Sequence, residues 1–157
     1  MSTILIKGGT VIDPVNGTEK VEDILIRDGI IAKRKTSIKE KADKVINAKG
    51  LTVTPGIVDM HVHFRDPGQT YKEDIFTGAL AAAHGGVTSV LTMPNTKPVM
   101  DEPDRISYVV NKGKSSAIHV YQVSAITKGM KGETLTDIAG VAKAGAKALS
   151  EDPRKDL

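Results

Sequence analysis

Apolar and polar residues alternate along "TILIKGGTVID" (3–13), the pattern of a strand with one face in a core. "PVNG" (14–17) follows as a turn signal. "VEDILIRDGIIAKRK" (21–35) reads as two short strands around the hairpin signal "RDG", and "KVINAKGLTVTPG" (44–56) adds another strand and turn. Residues 1–54 are therefore expected to form a small β module. From Thr54 onward strand-like and helix-like runs take turns. "GIVDMHVH" (56–63), "VTSVLTMPN" (87–95), "AIHVYQVSAIT" (117–127) and "AKALSED" (146–152) read as strands. "YKEDIFTGALAAAHGG" (71–86) reads as a helix with Ile75, Ala79, Leu80 and Ala83 on one face and Gly85-Gly86 at its end. "DEPDRISYVVNKGKSS" (101–116) predicts a second helix with Pro103 near its start. "TLTDIAGVAKAG" (134–145) predicts a third, with Thr134 or Thr136 as N-cap and Gly145 at its stop. This β-α-β-α-β-α-β rhythm implies parallel strands joined by right-handed crossovers. Four strands and three helices are about half of an eight-fold barrel, which takes ~250 residues. The expected class is α/β, with residues 55–157 forming either a small open sheet or the first half of a barrel.

Composition acts mainly by exclusion. The 157 residues suffice for a real core. The net charge of +3 comes from lysines interleaved with acids, and aromatics are scarce, so no nucleic-acid interface is expected. No apolar run approaches the ~20 residues of a membrane span. The opening "MSTILIKGG" lacks a basic segment followed by an apolar one, so no signal peptide is expected and the compartment reads as cytoplasmic. There is no cysteine, which excludes disulfides and thiolate ligands; a transition metal would need His, Asp, Glu or a lysine-derived group.

Candidate chemistry gathers at the strand ends. Side chains at i and i+2 of a strand point the same way, so His61 and His63 are expected on one side. In parallel α/β folds the C-terminal ends of strands are where sites are built. Two neutral imidazoles there suit a divalent ion, zinc above all. Arg65 continues the alternation, and its planar fork suits a substrate carboxylate. The plain alternative is a surface ion pair with Asp66 or Glu73. Asn95, between two prolines in "TMPNTKP", offers both donor and acceptor, with turn formation as its alternative. Glu151 and Asp152 end the fourth strand at the same end of the sheet as the histidines, and either is a candidate carboxylate ligand. Lys147 is a further candidate, as a carboxylated lysine. His84 and His119 read as cap or packing residues, and Asp13 and Asp59 as structural.

"PGIVDMHVHFRDPG", "GGVTSVLTMPNTKP" and "GAKALSED" together resemble the amino-terminal part of a dihydroorotase of the bacterial class I type, in the amidohydrolase superfamily. "LIKGGTVIDP" and "DILIRDGIIA" resemble the β-sandwich portion that precedes the barrel in these enzymes. The resemblance implies a small β-sandwich portion over 1–54 and the first half of a TIM-like (β/α)8 metal-dependent hydrolase barrel over 55–157, both incomplete. It implies reversible interconversion of N-carbamoyl-L-aspartate and L-dihydroorotate in pyrimidine biosynthesis, with one or two zinc ions per complete site. His61, His63 and Asp152 match metal ligands, and His63, Arg65 and Asn95 match substrate-binding residues. The family pattern places glycine where this chain has Pro153. Its further histidine ligands and its catalytic aspartate come from later strands that have no counterpart here, so the catalytic residue is unknown. The 157-residue chain alone is accordingly expected to lack activity. The implied partners are the small-molecule substrate and either a homo-oligomer or aspartate transcarbamoylase. The alternatives are a hydantoinase- or allantoinase-type amidohydrolase and a non-catalytic dihydroorotase-like partner subunit.

Overall fold

The computed structural model describes residues 2–151, and the chain divides into two compact units, 1–55 and 56–157. The Asp152 assignment lies outside the described residues.

The first unit is a five-stranded mixed sheet. Its strands are β1 (Thr3–Asp13), β2 (Thr18–Arg27), β3 (Ile30–Lys35), β4 (Lys44–Asn47) and β5 (Thr52–Val53). The sheet order is β3-β2-β1-β4, with β5 also on β1. β1 pairs antiparallel with β2 and parallel with β4 and β5. The "RDG" signal becomes a tight β2–β3 turn because Asp28 and Gly29 both take positive φ, 49° and 81°. Leu5, Leu25 and Ile38 form a small buried cluster. The register of β1 shifts between Ile6 and Gly9. There the buried Asp23 carboxylate accepts the Gly8 and Ile38 N–H groups, each at 2.9 Å. A buried acid with both oxygens satisfied is thus part of this module's frame.

The second unit is a parallel half-barrel sheet with helices on one face. Its elements are β6 (Ile57–Val62), α1 (Ile75–His84), β7 (Val87–Thr92), α2 (Pro103–Gly113), β8 (His119–Ala125), a 3₁₀ turn (Lys128–Met130), α3 (Ile138–Lys143) and β9 (Ala148–Ser150). The strands lie side by side in chain order, β6-β7-β8-β9, all parallel. The core between sheet and helices contains Phe64, Ile75, Ala79, Val90, Met100, Ile106, Val109, Val120 and Val141. α1 starts where Asp74 accepts the Phe76 and Thr77 N–H groups while Thr77 Oγ1 accepts the Asp74 N–H, a reciprocal cap.

Two local expectations change. The buried stripe of α1 is Ile75, Gly78 and Ala79, with Ala82 packed beside it; Leu80 is 54% exposed. Gly78 belongs to the stripe because its missing Cβ makes room for the Phe64 ring. Neither Thr134 nor Thr136 caps α3. Asp137 does, accepting the Gly140 N–H at 3.0 Å, while the backbone of Thr134 and Thr136 bonds instead to Lys128 and Ile126. The 3₁₀ turn, with Gly129 and Met130 at positive φ, carried no sequence signal that was read.

Candidate metal and substrate site

β6 ends at Val62, so His61 is its penultimate residue and His63 lies just beyond it. Their ring centroids are 5.2 Å apart at an interplanar angle of 66°. The Asp59 carboxylate accepts the His61 N–H at 3.0 Å, which gives that structural aspartate a specific task. His63 Nδ1 meets the Asn95 side-chain oxygen at 2.9 Å. Met93 N–H donates to the Val62 carbonyl at 2.9 Å, carrying the β6–β7 pairing one step past the strands and bringing these two side chains together. Asn95 is therefore more than a turn residue.

Arg65 does not continue the strand alternation. Its φ is +60°, so the chain turns there, and Phe64 between it and His63 is drawn into the core. The ion pairs weighed against its substrate role are not formed. Asp66 is held by Lys112 Nζ at 2.7 Å and Tyr108 OH at 3.0 Å, and Glu73 accepts from the Thr77 hydroxyl. Among the described residues, no carboxylate pairs with the half-buried Arg65 guanidinium. Asp66, Lys112 and Tyr108 form a cluster that the sequence reading missed. Tyr108 and Lys112 are one turn apart on α2, but Asp66 lies 42 and 46 residues away from them, so no local pattern brings it to the pair. The Asp66 hydrogen bond raises the Lys112 pKa above its ordinary value.

At the far edge, Glu151 follows β9 and accepts from the Ile126 and Thr127 N–H groups at 3.1 Å and from the Thr127 hydroxyl. Both of its oxygens are engaged in fixing the chain after β8. Lys147 precedes β9, with its ammonium 5.9 Å from the Tyr121 ring centroid, at the strand end opposite to the histidines. A cleft of about 600 Å³ lined by Thr88, Val110, His119, Tyr121 and Lys147 opens at that same opposite end. Of the candidate ligands it holds Lys147 alone; neither His61 nor His63 lines it. His119 stacks on Tyr121 there, with centroids 6.3 Å apart, and His84 ends α1. Among the described residues, no three His, Asp or Glu side chains cluster as a metal site. The fit to zinc is that of two adjacent imidazoles, a chemically suitable pair of donors.

A family model described as "Dihydro-orotase-like" matches residues 50–154. The chain belongs to this dihydro-orotase-like family. It is 52% identical over 153 residues to a dihydroorotase of Geotalea daltonii, covering 96% of this chain and 36% of that protein. It is 47% identical over 149 residues to a dihydroorotase of Streptococcus pneumoniae, covering 95% and 35%. The chain thus spans about a third of the length of these relatives. Among solved structures, the L-hydantoinase (dihydropyrimidinase) of Arthrobacter aurescens superposes with a TM-score of 0.75 at 23% identity, over 95% of this chain and 32% of that one. That likeness is one of fold. A D-hydantoinase superposes with a TM-score of 0.69 at 31% identity, over 90% and 29%. No helix among the described residues is long and apolar enough to cross a membrane.

Proposed function

We propose that this family member carries the first metal ligands and the carboxylate-binding residues of a zinc-dependent dihydroorotase. The reaction is the reversible interconversion of N-carbamoyl-L-aspartate and L-dihydroorotate in pyrimidine biosynthesis, in the cytoplasm. The carrying observation is the His61–His63 pair in contact with Asn95 at the C-terminal ends of adjacent parallel strands. His61 and His63 would hold zinc, with Asp152 as a further ligand. Bound there, zinc would acidify a water and polarise the amide carbonyl. Arg65 would grip the substrate carboxylate through paired N–H donors, and the Asn95 amide N–H groups would add to that grip. Holding the substrate by its carboxylate fixes the reacting carbonyl in place, which lowers the entropic part of the barrel site's barrier. Two imidazoles without an assigned acid/base residue support the further expectation that the 157-residue chain shows no turnover by itself.

The test is zinc uptake by equilibrium dialysis with elemental analysis, paired with calorimetric binding of L-dihydroorotate to the zinc-loaded chain. Zinc retention is expected to be lost in His61→Ala and His63→Ala. Dihydroorotate binding is expected to weaken about tenfold or more in Arg65→Ala, the scale of one charge-assisted hydrogen bond. Equal zinc retention in the double histidine variant would sink the reading. The hydantoinase-type alternative draws on the D-hydantoinase neighbour at 31% identity. It predicts preference for a neutral cyclic amide and a bridging lysine. The placement of Lys147 over Tyr121 and the unpaired state of Arg65 among the described residues favour the acidic substrate.

A further inference from the structure

The amide of Asn95 meets the His63 ring through its oxygen, Oδ1 to Nδ1 at 2.9 Å. An amide oxygen only accepts, so Nδ1 must carry the proton of the bond between them. The neutral ring is then the Nδ1–H tautomer, and its lone pair is on Nε2. We propose that Asn95 is a positioning residue for His63, selecting the tautomer and ring orientation that offer Nε2 to a metal ion. This rests on the metal-site reading above and adds a role for Asn95 that substrate binding does not supply.

The frame around Asn95 is built for such a task. Pro94 is fully buried and Thr96 is 7% exposed, so the amide stands between two anchored neighbours. The Pro94 carbonyl accepts the Met100 N–H at 3.0 Å, and the Thr96 hydroxyl donates to the Pro98 carbonyl at 2.7 Å. The Lys97 N–H donates to the Pro67 carbonyl at 3.3 Å, tying this loop to the one that follows His63. With the Met93-to-Val62 bond, these contacts fix the loop bearing the amide against the strand end bearing the ring. A ring held by a second group on a rigid frame loses less freedom when it takes up a metal. Partners of this kind change metal affinity by about 10–100-fold. The two ends of the amide divide the work: the oxygen serves the ring, and the NH₂ is the end suited to a carboxylate.

The experiment is a long-range ¹H–¹⁵N correlation spectrum of the metal-free 157-residue chain at about pH 8, above the ordinary imidazole pKa. It is followed by zinc affinity from competition with a chromophoric chelator. The wild-type His63 is expected as the Nδ1–H tautomer. Asn95→Ala should revert it toward the Nε2–H form that an unconstrained histidine prefers, and should weaken zinc by about 10–100-fold. Asn95→Asp keeps an acceptor at the same place and should keep the Nδ1–H form. An Nε2–H ring in the wild-type chain overturns the proposal without any variant having to fold. So does an Asn95→Ala chain that retains either the wild-type tautomer or the wild-type zinc affinity. An Nδ1–H ring in a chain that takes up no zinc would support Asn95 as the tautomer-setting group while defeating the zinc-site reading.

Discussion

At the scale of single residues, the site depends on a few side chains whose alternatives are blocked. Gly68 has a φ of +92°, and a Cβ there would overlap the Lys97 carbonyl. The backbone conformation and the clash act together, so Gly68→Ala is expected to cost about 2–4 kcal/mol, read from the denaturant midpoint. Gly78→Ala gains about 1 kcal/mol of helix propensity. Its Cβ would, however, meet the Phe64 ring at 2.5 Å, and Phe64 is already in the core. Overpacking of about 1–3 kcal/mol should win and leave the variant less stable. Asp13 titrates near 2 rather than its usual 3.8, because the Asn16 side chain and then Arg34 hydrogen-bond its charged form. Hydrogen bonds from Thr3 lower Asp43 in the same way, and those from Thr77 and Phe76 lower Asp74. Each binds protons more readily in the unfolded chain, so its stabilisation is complete above the unfolded pKa and is lost as pH falls through the folded one. For Asp13 that window runs from 3.8 down to about 2. Asp13→Asn should flatten the fall of the denaturant midpoint across this range, and an unchanged slope would refute the assignment. Lys112 has the opposite sign: its raised pKa gives stability that is present below the unfolded value and is lost only as pH rises through the folded one.

At the scale of elements, hydrogen bonds between loops do what strand pairing does elsewhere. β9 has three residues, too short to be secured by its ladder alone. Glu151 extends that hold by gripping Ile126 and Thr127 beyond the end of β8. Removing it with Glu151→Ala should speed amide exchange at Ile126 and Thr127 by tenfold or more, about 1.4 kcal/mol or above, while amides within β7 stay unchanged. Across the sheet, Asp66 ties the turn after Arg65 to α2 through Lys112 and Tyr108. Its side chain is fully buried, whereas that of Lys112 is 26% exposed. Asp66→Asn should therefore cost somewhat less than a fully buried broken pair, about 2–3 kcal/mol by thermal or denaturant unfolding. The strand and helix sequence of the second unit was legible from periodicity, because each element buries one stripe and the stripe repeats. The boundaries were less legible. The α3 cap went to Asp137 because the backbone of Thr134 and Thr136 was already committed to the 3₁₀ loop.

At the scale of the whole molecule, the second unit leaves apolar surface on its first strand. Ile57, Val58 and Met60 are 55%, 57% and 71% exposed, and β6 and β9 each pair with one neighbour among the described residues. An apolar strand with an open edge favours association. The 157-residue chain should show concentration-dependent self-association by sedimentation, and Val58→Lys with Met60→Lys should reduce it. A monodisperse monomer at high concentration would contradict this reading.

The sequence by itself determined the order and type of the elements, the parallel direction of the second sheet, and the pairing of two histidines at a strand end. These follow from periods of 2 and 3.6 and from i, i+2 geometry, which are local properties of the chain. Tertiary structure alone decided which groups meet across 30 or more residues: Asn95 with His63, and Asp66 with Lys112. It also took Arg65 off the strand's alternation, because β6 ends at Val62 and the chain turns at Arg65 with a φ of +60°. The difference lies in range. Periodicity is written within one turn or pleat, whereas the partner of a side chain is set by where packing brings distant segments together.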